Sequence, residues 1–292
     1  MPVFGLLNIN KPQGPTSHDI VARVRRGAKI KKVGHAGTLD PMATGVLILC
    51  LGAATRLSEY AMNSPKQYRA RVRLGVETDT YDAEGTVIAQ QDAQEVSLAD
   101  VDAALAQFQG TIQQVPPMYS AIKQDGRKLY DLARAGQEVE RPARTVTIRR
   151  LDVLEWESPF VTLDVYCTPG TYIRSLAHDL GAALGVGAHL AALTRTASGL
   201  FTVADAVAWD DLAAAMDAGN WQTYLLPPER AVTELPALHL DAAGVDAVCN
   251  GRWVAADDAA DELARAYTPD GQFFAILERR GAKWKPHKVF NV

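Results

Sequence analysis

Cysteine is scarce in this 292-residue chain: Cys50, Cys167 and Cys249, scattered and odd in number. Such a set builds neither a disulfide framework nor a Cys-x-x-Cys metal site. All three are expected to be small buried hydrophobes in a reducing cytoplasm. Long hydrophobic runs are missing too, since none approaches the roughly 20 apolar residues that cross a bilayer. The opening Met1-Pro2-Val3-Phe4-Gly5 has neither the basic start nor the long apolar core of a signal peptide. No Gly-Lys-Ser/Thr follows the glycine-rich stretches, so a Walker phosphate cradle is excluded. His178, His189, His239 and His287 lack metal-ligand spacing, and there is no internal repeat or low-complexity tract. What remains is a globular chain, 48% apolar and 22% charged, long enough for two domains.

Net charge is −4, which taken alone speaks against a nucleic-acid partner, but the average hides a strong asymmetry. Residues 1–80 carry twelve Lys/Arg against five Asp/Glu, whereas residues 205–262 carry two against twelve. Residues 263–292 turn basic again, with six against two. The shape of a field steers ligands where net charge does not. The run Arg23, Arg25, Arg26, Lys29, Lys31, Lys32 points to a polyanionic substrate; its bland reading is a solvated helix face.

Local patterns give a coarse order of elements. Phe4–Ile9 reads as a strand, and Thr16 with Asp19 forms the capping box of a helix whose apolar side is Ile20, Val21 and Val24. A short helix is expected over 53–61. Lys66 to Leu74 alternates strictly, with Tyr68, Ala70, Val72 and Leu74 on one face and Arg69, Arg71 and Arg73 on the other. Ser97 and Asp100 open another helix, which buries Leu98, Val101, Leu105 and Phe108. A strand near Met118–Lys123, a turn at Asp125-Gly126 and a helix from Lys128 to Ala135 follow, then strands near 145–151 and 161–167. A helix over 171–184 places Ile173, Leu176, Ala177 and Leu180 at core spacing. Strands and helices mix without a βαβ rhythm, which is the pattern of an α+β fold. The acidic, helical stretch 205–236 closes on Pro227-Pro228, and about 235–292 reads as a small β-rich domain of its own.

The chemistry concentrates in Gly34-His35-Ala36-Gly37-Thr38-Leu39-Asp40-Pro41-Met42-Ala43-Thr44-Gly45, which runs straight into the apolar strand Val46–Leu51. Three glycines and a proline specify an unusual loop that delivers one carboxylate to the edge of a rigid strand. Asp79 and Asp82 are the carboxylates that could pair with it as in a glycosidase, but they belong to another loop and the separation is open. Arg174, one helical turn before His178, is either a surface arginine or a buried partner that keeps Asp40 ionised. Tyr68 is either core or a plate on which an extruded base stacks. His35 is either a loop histidine or a group that stacks on RNA.

Several segments, in order, resemble the bacterial tRNA pseudouridine-55 synthases, the pseudouridine synthase B family. They are Lys11-Pro12-Gln13-Gly14, the Asp40 loop, Lys66-Gln67-Tyr68-Arg69-Ala70, and Thr78-Asp79-Thr80-Tyr81-Asp82-Ala83-Glu84-Gly85. Gln114–Ala121, Gly170-Thr171-Tyr172-Ile173-Arg174-Ser175-Leu176 and Leu193-Thr194-Arg195-Thr196-Ala197-Ser198-Gly199 complete the set. The resemblance implies a catalytic domain over residues 1–230, with a mixed, mainly antiparallel sheet and a central RNA-binding cleft. It also implies a small RNA-binding PUA-like domain over 235–292. The implied reaction turns one T-loop uridine of tRNA into pseudouridine without cofactor or metal, in a chain that acts as a monomer without an obligatory protein partner. In that scheme Asp40 is the nucleophile, with attack on ribose C1′, addition to the base and elimination all open. Tyr68 stacks on the flipped base and takes part in removing the C5 proton, and Arg174 pairs with Asp40. Lys11, Pro12, Asp82 and Leu193 belong to the substrate site, and His35 fills the gap that the extruded base leaves. The rival readings are a non-catalytic RNA-binding or tRNA-chaperone module, a guide-RNA-directed synthase and a nucleoside hydrolase.

Overall fold

A computed structural model describes residues 3–119, 123–124, 127–128, 139–256 and 261–290. Its backbone is a ten-stranded mixed sheet. From one edge the strands run Val207–Ala208, Phe4–Lys11, Thr44–Gly52, Ala188–Ser198, Lys66–Leu74, Phe160–Cys167, Arg144–Glu157 and Gly110–Gln114. Val33–His35 and Phe201–Thr202 attach to the side of this path. Phe4–Lys11 meets Val207–Ala208 in parallel, as Thr44–Gly52 meets Ala188–Ser198; the other pairings along the path are antiparallel. This is the mixed, mainly antiparallel sheet of the α+β expectation.

The strand Thr44–Gly52 shows why its sequence is apolar without a break. Leu47, Leu49 and Leu51 point into the main core under the helices, while Val46, Ile48 and Cys50 point into a second core on the other face. A strand covered on both sides has no solvent face to keep polar. The main core is roofed by the helices Ser17–Gly27, Leu98–Leu105, Ile173–Ala183 and Trp209–Ala218. Both expected capping boxes form, Thr16 with Asp19 and Ser97 with Asp100. Lys66–Leu74 alternates in burial as its sequence alternates in polarity.

The second core is shared with the C-terminal region. There, five strands in the order Ala237–His239, Leu263–Tyr267, Phe273–Arg280, Lys283–Val289, Val254–Ala255 form a separate sheet, with the helix Ala242–Cys249 on one face. On the other face Phe273, Ile276 and Phe290 pack against Leu6, Ile48 and Cys50, and the rings of Phe4 and Phe290 stack 4.8 Å apart. Lys288 pairs with Glu59, and Arg56 donates to the Val289 carbonyl at 2.6 Å. The expected small β-rich unit exists, but it is bolted to the first sheet and does not hang from a linker. Its shape leaves each region to bury the apolar surface of the other.

Four smaller expectations need correction. Cys249 is exposed, since its helix turns Val248 inwards instead. Leu98 is exposed as the first residue of its helix, before the stripe of Val101 and Leu105 reaches the core. The segment 53–61 is a 3₁₀ turn, Ala53–Leu57, that widens into the α-helix Ser58–Asn63. Met118 and Tyr119 lie in a bend, and Lys128 pairs in a short hairpin with Lys123; the expected turn at 125–126 and the helix over 129–135 lie outside the described residues. Among the described residues no helix is long and apolar enough to cross a membrane.

Candidate active site

Asp40 sits in the connection between Val33–His35 and Thr44–Gly52, which Ser17 and Lys11 brace from earlier in the chain. Ser17, at the start of its helix, accepts from the Leu39 amide at 2.8 Å and donates to the Leu39 carbonyl at 3.0 Å. Lys11, fully buried at the end of the first strand, donates to the carbonyls of Pro12 (2.9 Å), Pro41 (3.2 Å) and Ala43 (2.7 Å). Burial pushes its pKa down to about 8, against the pull of Asp40. With three backbone carbonyls on its ammonium, Lys11 braces the loop from within. Lys11 is thus placed as a supporting member of the site, and Pro12 beside it is half-buried.

Arg174 closes the site. Its Nε lies 3.0 Å from Asp40 Oδ2 and its Nη2 donates to Asp40 Oδ1 at 3.3 Å, so the guanidinium grips both oxygens. Nη1 lies 3.3 Å from Asp82 Oδ2 and donates to the Thr80 carbonyl at 3.3 Å; Nη2 also donates to the Tyr119 carbonyl at 2.7 Å. Every nitrogen of the fork faces an acceptor. Asp82 is held in turn by the Thr80 hydroxyl (2.7 Å) and the Glu84 amide (3.0 Å). The structure thus joins Asp40 and Asp82 through one arginine, and leaves Asp79 capping the Thr86 amide away from them. Accessibility separates their roles. The Asp40 side chain is 35% exposed, whereas Arg174 and Asp82 retain 6% and 5%. Burial pushes the Asp40 carboxyl above its usual range, with Arg174 acting against that shift and Asp82 adding to it.

Tyr68 and Leu193 face the same main core from adjacent strands, and Tyr68 keeps 9% of its surface exposed. Desolvation raises the phenol pKa. His35 is half-buried, edge-on to His18 with ring centroids 5.2 Å apart, and burial lowers its pKa to about 4. It is therefore neutral at pH 7. Its Nδ1 is buried with no hydrogen-bond partner among the described residues.

Sequence reasoning missed Arg195. It is 1% exposed on the strand Ala188–Ser198 and donates to the carbonyls of Val46 (2.7 Å), Thr38 (3.3 Å) and Gly37 (3.0 Å). The available signal was an arginine two places after Leu193 on one strand face, hence a charge in a core slot. Among the described residues no group of three His, Cys, Asp or Glu side chains is placed to hold a metal ion.

This geometry belongs with a sequence likeness that covers the chain. The profile described as "TruB family pseudouridylate synthase (N terminal domain)" matches residues 25–173. Two C-terminal profiles of tRNA pseudouridine synthases match 174–233 and 235–291. The chain belongs to the TruB family of pseudouridylate synthases. A relative from Dehalococcoides mccartyi strain CBDB1, named tRNA pseudouridine synthase B, is 45% identical over 98% of this chain and 96% of its own length. One of the same name from Moorella thermoacetica is 43% identical over 99% of this chain and all of its own. Among solved structures, a Cbf5–Nop10–Gar1 complex matches with a TM-score of 0.77 at 30% identity, over 99% of this chain and 85% of that one. An H/ACA ribonucleoprotein bound to a substrate RNA containing 2′-deoxyuridine matches at 0.75 and 28%, over 99% and 86%. This TruB-family chain is therefore an isomerase of uridine in RNA, with the α+β fold and β-rich C-terminal region of its relatives.

Proposed function

We propose that this chain converts the T-loop uridine of tRNA, position 55, to pseudouridine, and that it does so in the cytoplasm as a single chain without guide RNA. The observation that carries the reading is the accessible Asp40 carboxylate on the buried Arg174–Asp82 bracket. The reaction breaks the glycosidic C–N bond, turns the uracil, and joins its C5 to the same C1′. No group enters and no oxidation state changes overall, so the protein must supply a negative charge beside the sugar, a slot for the detached base and a proton acceptor. Attack on C1′ and elimination from the ribose both begin with an ionised carboxylate at the sugar. The two-point grip of Arg174 supports that ionisation against the upward push of burial.

Tyr68 and Leu193 form the walls of the base slot. The Tyr68 hydroxyl takes part in removing the C5 proton as a relay, giving up its own proton as it receives that one, while N1 of the uracil gains a proton so that none is lost overall. The neutral His35, on the hairpin leading into the Asp40 loop, suits the place vacated by the flipped base, because an uncharged ring stacks there without a desolvation penalty. The catalytic unit spans residues 1–230, and residues 235–292 hold the tRNA body. Relatives matched over nearly their full length at 43–45% identity carry the name of a tRNA enzyme, while the chains from the Cbf5–Nop10–Gar1 complex and the H/ACA ribonucleoprotein stand at 28–30%. That gap favours the unguided reading.

The test is incubation of the purified chain with unmodified tRNA transcript, and with a hairpin of only the T stem and loop, followed by pseudouridine mapping at single-nucleotide resolution. Both substrates are expected to be modified at one uridine. Product at another position, or none without added RNA or protein, would overturn the proposal.

A further inference from the structure

We propose that Arg195 is a positioning residue that sets the spacing between the Asp40 loop and Tyr68, and so the width of the base slot. This rests on the functional reading above. Arg195 is the junction of the two halves of the site by strand register alone. It lies directly opposite Tyr68 across the antiparallel pairing and directly beside Gly45 across the parallel one. Its guanidinium then reaches forward under the catalytic loop to the Gly37 and Thr38 carbonyls and sideways to the Val46 carbonyl. The Arg195 charge lies close enough to Tyr68 to draw the phenol pKa down against the upward push of burial.

Two glycines of the loop have the shapes this arrangement demands. Gly45 has φ +96°, and a Cβ there would lie 2.2 Å from the Arg195 carbonyl oxygen, so only glycine lets the two strands approach. Gly37 has φ +101°, a left-handed turn in which its carbonyl meets Nη2 at 3.0 Å. Three carbonyls spread around one planar group match the fixed fork of an arginine; a lysine offers its donors from a single point. No carboxylate lies within ion-pair distance of Arg195 among the described residues. A buried cation is costly when its neighbours are only dipoles. An apolar side chain would fill the slot at less cost, but would free the loop from Tyr68.

The experiment uses the full chain with Arg195→Lys and, from the acceptor side, Gly37→Ala, which keeps Arg195 and displaces the carbonyl. Single-turnover rates and affinities are measured on the stem-loop hairpin, together with amide exchange over residues 36–44. Both variants are expected to slow turnover by about 100-fold with affinity held within about three-fold, and to speed exchange in the loop at least ten-fold. If Arg195→Lys fails to fold, Gly37→Ala carries the test. Turnover within about three-fold of wild type in either folded variant, or loss of affinity by the same factor as rate, overturns the proposal. Wild-type protein that makes no pseudouridine counts against the functional reading instead, and the exchange rates of the variants still decide whether Arg195 holds the loop.

Discussion

Tyr68 and Arg69 are neighbours in sequence and lie on opposite faces of the ten-stranded sheet. On the Tyr68 face, four helices close over the main core, and Asp40, Arg174, Leu193 and Arg195 converge at its edge. On the Arg69 face, the sheet is covered at one end by the C-terminal strands and stays open at the other. The open part is not a free cationic plate. Arg71 pairs with Glu157 at 3.4 Å and lies 4.2 Å above the Phe160 ring; Arg150 pairs with Asp164 at 2.5 Å. Arg69, Arg71 and Arg73 line this outer face, where a phosphate-binding surface has to compete with the partners already present. They point away from the face that holds the carboxylate, and part of their charge is already matched. One face gathers few charges, most of them buried and partnered, around the proposed site, and the other is largely solvated.

The strongest way to break this contrast is Asp40→Asn. Turnover on the hairpin should fall by at least about 10⁴-fold, with affinity within about three-fold, since shape is kept and the carboxylate charge proposed to act at the sugar is lost. Wild-type turnover should also fail on the acid side at a pH above the ordinary carboxylate range. A raised folded pKa means the ionised form disappears earlier as pH falls. Residual turnover near wild type would move the chemistry off this face.

A substitution on the opposite face should do the reverse. Phe290→Ala opens a cavity between the two sheets and should cost about 3–5 kcal/mol in urea unfolding, while the folded fraction keeps its single-turnover rate. The same contact alters what a truncation can teach. Deleting residues 235–292 uncovers Leu6, Ile48 and Cys50, so loss of tRNA capture in that variant would be mixed with loss of stability.

The smallest effect separates the two basic surfaces. Arg25, Arg26, Lys29, Lys31 and Lys32 are exposed on the helix that begins beside Leu39 and on the segment after it. Changing these five to Gln should weaken hairpin binding about ten-fold or more and flatten its salt dependence. Changing Arg69, Arg71 and Arg73 to Gln should alter affinity by less than about two-fold. A large effect from the second set would place RNA on the back of the sheet.

What could be read from the sequence was whatever a few consecutive residues decide. The capping boxes at Thr16 and Ser97, the alternation through Tyr68 and the demands of the Asp40 loop are local, and they reappear in the fold. Alternation even held the clue that Arg69 and Tyr68 face apart, though not which face bears the site. The pairing of Arg174 with Asp40 came through resemblance, because 134 residues separate them. Arg195 was hidden for a related reason: its meaning depends on which strands flank it, and register between distant strands has no signature in either one. Lys11 entered as a member of the site through resemblance alone, because a lysine beside a proline says nothing about three carbonyls that fold around it.

The stacked rings of Phe4 and Phe290 have one more consequence, in time. They are 286 positions apart, and a ribosome adds about 5–20 residues per second. For roughly 15–60 s after the first strand is made, the partner that covers its outer side does not yet exist. The Asp40 loop and its braces can assemble in that interval, but Leu6 and Ile48 are covered only in part, by Leu57, Phe201 and Val232, until the strand Lys283–Val289 and Phe290 arrive. The nascent protein therefore carries an apolar strip that a chaperone can recognise, and that vanishes when synthesis reaches Phe290.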